Sequence, residues 1–494
     1  MRINQAQLAT LAASANHSTA SRLKLPAYDR SKLAPGIVHL GLGAFHRAHQ
    51  ALYTEAAVAA GDLRWGIVGV SLRQADTHDA LAPQDYLYSV AVRDSQGEQL
   101  MVVGTLLAAL VAPENPQAVL AAMSDARCHI VSLTVTEKGY CYDPASRALL
   151  LDHPDIQHDL QQADPKTAIG FIVRALAQRR AGGTAPFTVV SCDNLPANGD
   201  TTRGMVLAFA AQIDAGLAAW ISEQVSFPNS MVDRIVPKTT EVDIRHVEQQ
   251  LGLHDAWPVM TERFTQWVIE DRFCGPRPRW EDAGATIVAD AAPYEHAKLR
   301  MLNGSHSTLA YLGALMAYET VDQAMQDADL SGFVAAMLAQ EVEPTLERPG
   351  LPAYRAELMQ RFRNPALKHR LQQIAMDGSQ KIPQRLLGTL RNRLAADADC
   401  RHLLFALAGW FQYLAGQDEA GRSYPVSDPL AGVLQAAATS AEDSAARVQA
   451  LLALSAVFGE DLAGNASVRD ALIRDLSLIR QHGVKAAMRN SGLI

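Results

Sequence analysis

The stretch Tyr294-Glu295-His296-Ala297-Lys298-Leu299-Arg300-Met301-Leu302-Asn303-Gly304-Ser305-His306 carries the residues best suited to chemistry. At roughly 100° per residue on an α-helix, Lys298, Asn303 and His306 fall within roughly 140° of arc and share a face. Three such groups can converge on one small polar substrate. A lysine serves as a general base when burial lowers its pKa toward neutrality. An asparagine amide can donate to a developing alkoxide, and a histidine can position a hydroxyl. The set suits oxidation of a secondary alcohol, the proton passing to the lysine and the hydride to a redox cofactor. Taken singly, each residue could equally be a solvated helix position or a local cap.

Hydride transfer needs a cradle for the cofactor. Ile37-Val38-His39-Leu40 runs into Gly41-Leu42-Gly43-Ala44-Phe45-His46, a buried strand, a Gly-x-Gly turn and a helix in succession. Glycines there allow a tight turn and close backbone approach to a pyrophosphate, which the helix N-terminus then faces. His46 stands where a third glycine is common. A glycine-rich turn without a ligand is the competing explanation of this motif alone. The second strand ends at Val70, followed by Ser71-Leu72-Arg73-Gln74-Ala75-Asp76. Asp76 can accept hydrogen bonds from ribose hydroxyls, which favours NAD; Arg73 can pair with a 2′-phosphate, which favours NADP. The balance leans to NAD.

Rival chemistries fit less well. Tyr294-x-x-x-Lys298 has the spacing of the tyrosine–lysine pair in short-chain dehydrogenases, but those chains are shorter, with one domain and different glycine spacing. Cys128, Cys141, Cys192, Cys274 and Cys400 are scattered, and His46 and His49 lie on the helix after the glycine turn, so no zinc ligand set emerges and no metal is expected. A serine hydrolase would need a Gly-x-Ser-x-Gly elbow, which is missing.

The elements that must position these residues divide the chain. Gly36–Leu40, Trp65–Val70, His129–Val135 and Phe187–Cys192 read as short buried strands. Amphipathic segments such as His46–Ala60 and Ile169–Arg180 lie between them, the alternation of a parallel sheet with crossover helices. From Tyr294 onward Ala/Leu-rich helical stretches take over, among them His402–Leu414 and Ala445–Phe458. The pattern predicts an α/β protein: a Rossmann-like dinucleotide-binding domain over 1–290 and a mainly α-helical domain over 291–494. The 494 residues exceed the size at which one core usually stops growing, about 250–300 residues. A net charge of −8 gives no electrostatic reason to bind nucleic acid or an anionic membrane. The polar, charge-broken stretch Met1–Leu25 does not read as a signal peptide, no apolar run approaches bilayer length, and the scattered cysteines suit a reducing cytosol, so the expected location is cytoplasmic.

With these residues in view, the chain resembles the long-chain mannitol dehydrogenase family of polyol and hexuronate oxidoreductases over nearly its whole length. The carriers are Gly41-Leu42-Gly43-Ala44-Phe45-His46-Arg47-Ala48-His49-Gln50, Thr136-Glu137-Lys138-Gly139-Tyr140, Ser191-Cys192-Asp193-Asn194-Leu195-Pro196, Met231-Val232-Asp233-Arg234-Ile235, Gln266-Trp267-Val268-Ile269-Glu270-Asp271 and the Lys298–His306 stretch. The resemblance implies a metal-independent enzyme with its active site between the two domains. It implies Lys298 as general base, Asn194 and Asn303 as the pair stabilising the alkoxide, and Glu295 on a proton path to solvent. It further implies His306, Asp233 and Lys381 as ligands of substrate hydroxyls, and a monomer.

Two positions depart from the mannitol branch. Its members usually carry arginine at the position of Gln373 and glycine at that of Lys138. Lys138 and Gln373 are similar to the fructuronate reductase (mannonate oxidoreductase) branch, whose substrate carries a carboxylate. Lys138, Arg370 or Lys381 could supply the cation it needs. Val70-Ser71-Leu72-Arg73 and His254-Asp255-Ala256-Trp257-Pro258-Val259 look more like the mannitol branch. Fructuronate/mannonate is the leading expectation, fructose/mannitol the next, and a non-catalytic dinucleotide sensor the alternative from another class.

Overall fold

The computed structural model describes residues 1–14, 23–94, 97–143, 148–365 and 368–494, so 15–22 of the polar N-terminal stretch lie outside the described residues. The chain forms two compact units, Met1–Ala292 and Pro293–Ile494.

The first unit is organised by a five-stranded parallel sheet in the spatial order Thr188–Ser191, Ile130–Leu133, Ile37–Leu40, Ile67–Ser71, Leu106–Val111. The first four are short runs rich in β-branched residues, and every residue in them is buried. Strands covered on both faces read as continuous apolar runs. Alternate residues face opposite layers. Val38, Leu40, Val131 and Leu133 join the core formed with Ile169, Ile172 and Leu176 of the helix Ala168–Ala181. Ile37, Ile67 and Ile130 join the one formed with Ala51 and Val58 of the helix Gln50–Ala59.

Sequence pattern predicts four of these strands and misses Leu106–Val111, whose Leu-Leu-Ala-Ala-Leu-Val composition suits a helix as well. Pairing with Ile67–Ser71, with a register irregularity at Ile67/Val68, decides for strand. It follows the hairpin Tyr88–Asp94/Gly97–Val103, which belongs to a second, four-stranded sheet. The helix expected over His46–Ala60 is two helices, Ala44–Ala48 and Gln50–Ala59, broken at His49 (φ −123°, ψ −89°). The His49 Nε2 lies 2.9 Å from the Gln266 carbonyl oxygen, and its ring packs on Phe45, Tyr53 and Trp267. Those contacts hold it off the helical path.

The second unit is helical. Among the described residues, no strand follows Thr286–Val288 beyond two isolated bridges. Arg401–Tyr413 is buried on nearly every face and packs against Gly304–Leu315 and Ala466–Asn490. The stretch expected as one helix near Ala445–Phe458 is two, Ser444–Leu452 and Ser455–Ala463. Among the described residues, three π-helical turns interrupt the regular helices, at Lys298–Asn303, Leu338–Val342 and Pro383–Leu387.

Candidate active site

Chain order in the parallel sheet reverses at Ile37–Leu40. From there the chain builds outward to Ile67–Ser71 and Leu106–Val111, then returns to the other side with Ile130–Leu133. Ligands of such sheets bind beyond the carboxyl ends of the strands at this reversal. A cleft of about 900 Å³ lies there, lined among others by Gly41, Gly43, Arg73, Thr134, Thr136 and Lys138. Gly41 has φ +93°, and a Cβ on it would stand 2.2 Å from the Thr134 carbonyl oxygen, so only glycine lets the two strand ends close up. The Thr134 hydroxyl donates to the Gly41 carbonyl at 2.8 Å and fixes the same corner. Size, glycine turn and position fit a dinucleotide.

Several of the residues expected to contact the cofactor do not line this cleft. Ile37 is 3% exposed at the amino end of its strand, far along the sheet from the ends where such ligands bind, and is a core residue. Ala44, Phe45 and His46 are not among the cleft-lining residues. His46 is buried and stacked on His39 at 3.4 Å between ring centroids, which is why a side chain is accommodated where a third glycine is common. Burial holds both rings neutral, His39 being pulled down to about 3. Asp76 is exposed in the first turn of the helix Asp76–Leu81, where it complements the helix dipole, and it does not line the cleft. Arg73 and Gln74 do line it.

Asn194 lies exposed in the turn after Thr188–Ser191, at the carboxyl end of the sheet. Its neighbour Asp193, which sequence reasoning passed over, anchors that turn. Asp193 accepts from the Val135 and Thr136 amides, both at 2.9 Å, and from the Tyr140 hydroxyl at 2.7 Å. The Asn198 amide braces it further through the Ser191, Asp193 and Ser230 carbonyls. Asp233, 4% exposed, ends the strand Ser230–Asp233.

In the second unit, Lys298 and Asn303 bound a π turn rather than a stretch of regular α-helix. This corrects the geometry expected from α-helical spacing. The i→i+5 bonding of a π turn, seen in the Gly304 amide donating to the Leu299 carbonyl, adds a residue per turn. The fifth residue then swings back toward the first, so Lys298 and Asn303 draw closer on one face. Glu295 lies one helical turn earlier, in Ala292–Ala297.

His306, 7% exposed, follows in the helix Gly304–Leu315. Its ring packs on Phe362 and, edge to face, on His369. Burial holds it well below the usual histidine range, and the nearby His369, Arg385 and Arg361 push the same way. His306 is therefore a neutral imidazole with one donor and one acceptor nitrogen. His369 is lowered as well, by burial first and then by Lys381. The helices Leu371–Ala375 and Gly378–Ile382 pack on Gly304–Leu315 and bring Lys381 into this group, its ammonium donating to the Ile374 carbonyl at 3.4 Å. Arg370 and Gln373 are both exposed, at the start of and within Leu371–Ala375. His369, Arg361 and Arg385 were not singled out from sequence; they lie too far along the chain from His306 for spacing to reveal them. Among the described residues, no group of three or more His, Cys, Asp or Glu is placed to hold a metal ion.

The family model of the mannitol dehydrogenase Rossmann domain matches residues 35–282, and that of the mannitol dehydrogenase C-terminal domain matches 290–479. The chain belongs to the mannitol dehydrogenase family. An uncharacterised oxidoreductase of Escherichia coli is 46% identical, the match covering 96% of this chain and 98% of that protein. The D-mannonate oxidoreductase of E. coli is 45% identical, covering 93% and 96%. The structure of Pseudomonas fluorescens mannitol 2-dehydrogenase in ternary complex with NAD and D-mannitol superposes with a TM-score of 0.85 at 39% identity, covering 99% of both chains. As a mannitol dehydrogenase family member, the chain is an oxidoreductase with an N-terminal Rossmann domain and a mostly helical C-terminal domain. No helix among its described residues is long and apolar enough to cross a membrane.

Proposed function

We propose that the chain is an NAD-dependent reductase of a keto-hexuronate, converting fructuronate to mannonate and running the reverse oxidation. The observation that carries this reading is the gathering of Asn303, His306 and Lys381, with the further cations Arg385 and Arg361, around the helix that follows Lys298. Full-length likeness to D-mannonate oxidoreductase supports the sugar-acid assignment. The cleft beyond the Gly41 turn would hold the dinucleotide, with Gly41 and Gly43 against its pyrophosphate and Lys138 toward its phosphates.

Bound NAD(H) supplies the hydride acceptor or donor. In oxidation, Lys298 as free amine takes the hydroxyl proton; in reduction, its ammonium returns it. Glu295, one turn away, relays that proton to solvent. Asn303 and Asn194 donate amide N–H bonds to the developing alkoxide and do not themselves titrate. Neutral His306 can donate to one hydroxyl or accept from another. Asp233 and Lys381 bind further hydroxyls. The exposed Arg370 and Gln373 serve at most the outer end of the substrate.

The test is NADH or NADPH consumption with fructuronate, tagaturonate, fructose and xylulose. The expected result is the highest kcat/KM for fructuronate with NADH. A preference for fructose would favour the second reading, a mannitol 2-dehydrogenase, which the Pseudomonas fluorescens likeness supports. No turnover on any of the four would favour a non-catalytic dinucleotide sensor.

A further inference from the structure

Arg385 lies in the π turn Pro383–Leu387, which packs against the π turn Lys298–Asn303. Its Nη1 donates to the Ser307 hydroxyl at 3.1 Å and to the Asn303 carbonyl at 3.4 Å. Gly304 permits the approach, since a Cβ there would stand 3.0 Å from the Arg385 carbonyl oxygen. These bonds fix the guanidinium and use one of its three nitrogens. No carboxylate among the described residues pairs with it. Its Nε and Nη2 make no hydrogen bond among the described residues. The buried Nδ1 of His369, in the ring that meets His306, likewise has no partner among the described residues.

Burial desolvates this half-buried guanidinium, and its neutral hydrogen bonds to Ser307 and Asn303 offset that cost without supplying a counter-charge. A neutral polyol would not supply one either, whereas a carboxylate would. The free Nε/Nη2 edge has the planar fork that receives two carboxylate oxygens together. The other cations are less suited. Lys381 is a point charge without the planar fork, Arg370 is exposed, and Lys138 lines the dinucleotide cleft.

We propose that Arg385 is the specificity-determining residue for acidic substrates, its Nε and Nη2 receiving the carboxylate of a sugar acid whose hydroxyls meet Asn303 and His306. This rests on the sugar-acid reading above.

Steady-state kinetics of the wild type and Arg385→Gln on fructuronate and fructose, at saturating NADH, tests it. The variant's kcat/KM should fall roughly 10- to 100-fold further on fructuronate than on fructose, mostly through KM, the loss expected for a charge-assisted pair. Arg385→Lys keeps the charge without the fork and should fall between; it also supplies the reading if Arg385→Gln does not fold. Equal losses on both substrates would reduce Arg385 to a helix tie and overturn the assignment while leaving the sugar-acid reading intact. A wild type that turns over fructose but not fructuronate would overturn the sugar-acid reading, and the carboxylate assignment with it.

Discussion

The rings of His306 and His369 meet edge to face, 5.4 Å between centroids and 86° between planes. Burial lowers the pKa of both. Below about pH 6.5 the unfolded chain takes protons at these positions while the folded chain resists them. Their contribution to stability is therefore complete above that pH and declines as the pH falls toward the lowered folded values. His306→Asn should flatten the acid limb of a urea-midpoint profile by up to about 1.4 kcal/mol per pH unit. An unchanged slope would mean that His306 is already protonated in the folded protein.

Lys298→Met should lower kcat by roughly 10²- to 10⁴-fold, the range supplied by a positioned acid–base group. Cofactor affinity should hold, because no part of the dinucleotide cleft comes from this residue. Fluorescence titration with NADH separates the two effects. Near-normal turnover would remove Lys298 from the mechanism.

Gly41→Ala brings a Cβ to 2.2 Å from a backbone oxygen at φ +93°, so the strand ends must part. A melting curve should show about 1–3 kcal/mol of destabilisation, the usual cost of a strained backbone position. NADH binding should weaken alongside it. Unaltered stability and unaltered binding together would place the dinucleotide away from this turn.

Arg73 lines the cleft while Asp76 does not. Asp76→Asn should therefore leave the KM for NADH and for NADPH nearly unchanged. Arg73→Ala should weaken NADPH more than NADH, since the lost cation is the one placed for a 2′-phosphate. Comparing the two KM ratios decides between the residues; a large NADH effect from Asp76→Asn would return the ribose to that side chain.

Much of the dinucleotide half is legible without coordinates. Buried parallel strands must be apolar along their length, so Ile37–Leu40, Ile67–Ser71, Ile130–Leu133 and Thr188–Ser191 announce themselves, and the Gly-x-Gly turn marks which end of the sheet takes a ligand. Leu106–Val111 does not announce itself, because its composition permits two conformations and only a neighbouring strand chooses. Nor does the break at His49, which depends on a carbonyl from Gln266.

The amino-acid sequence alone determined the family, the division into two units and the polar residues available between Lys298 and His306. Local spacing and propensity act over a few residues, and those features are local. Tertiary structure decided what those residues face. Only packing turned Lys298–Asn303 into a π turn, left Asp76 off the cleft lining, and set His369 and Arg385 beside His306. Contacts across tens of residues leave no periodic trace in a single chain, so the charge surrounding His306 becomes visible only once the helices have folded together.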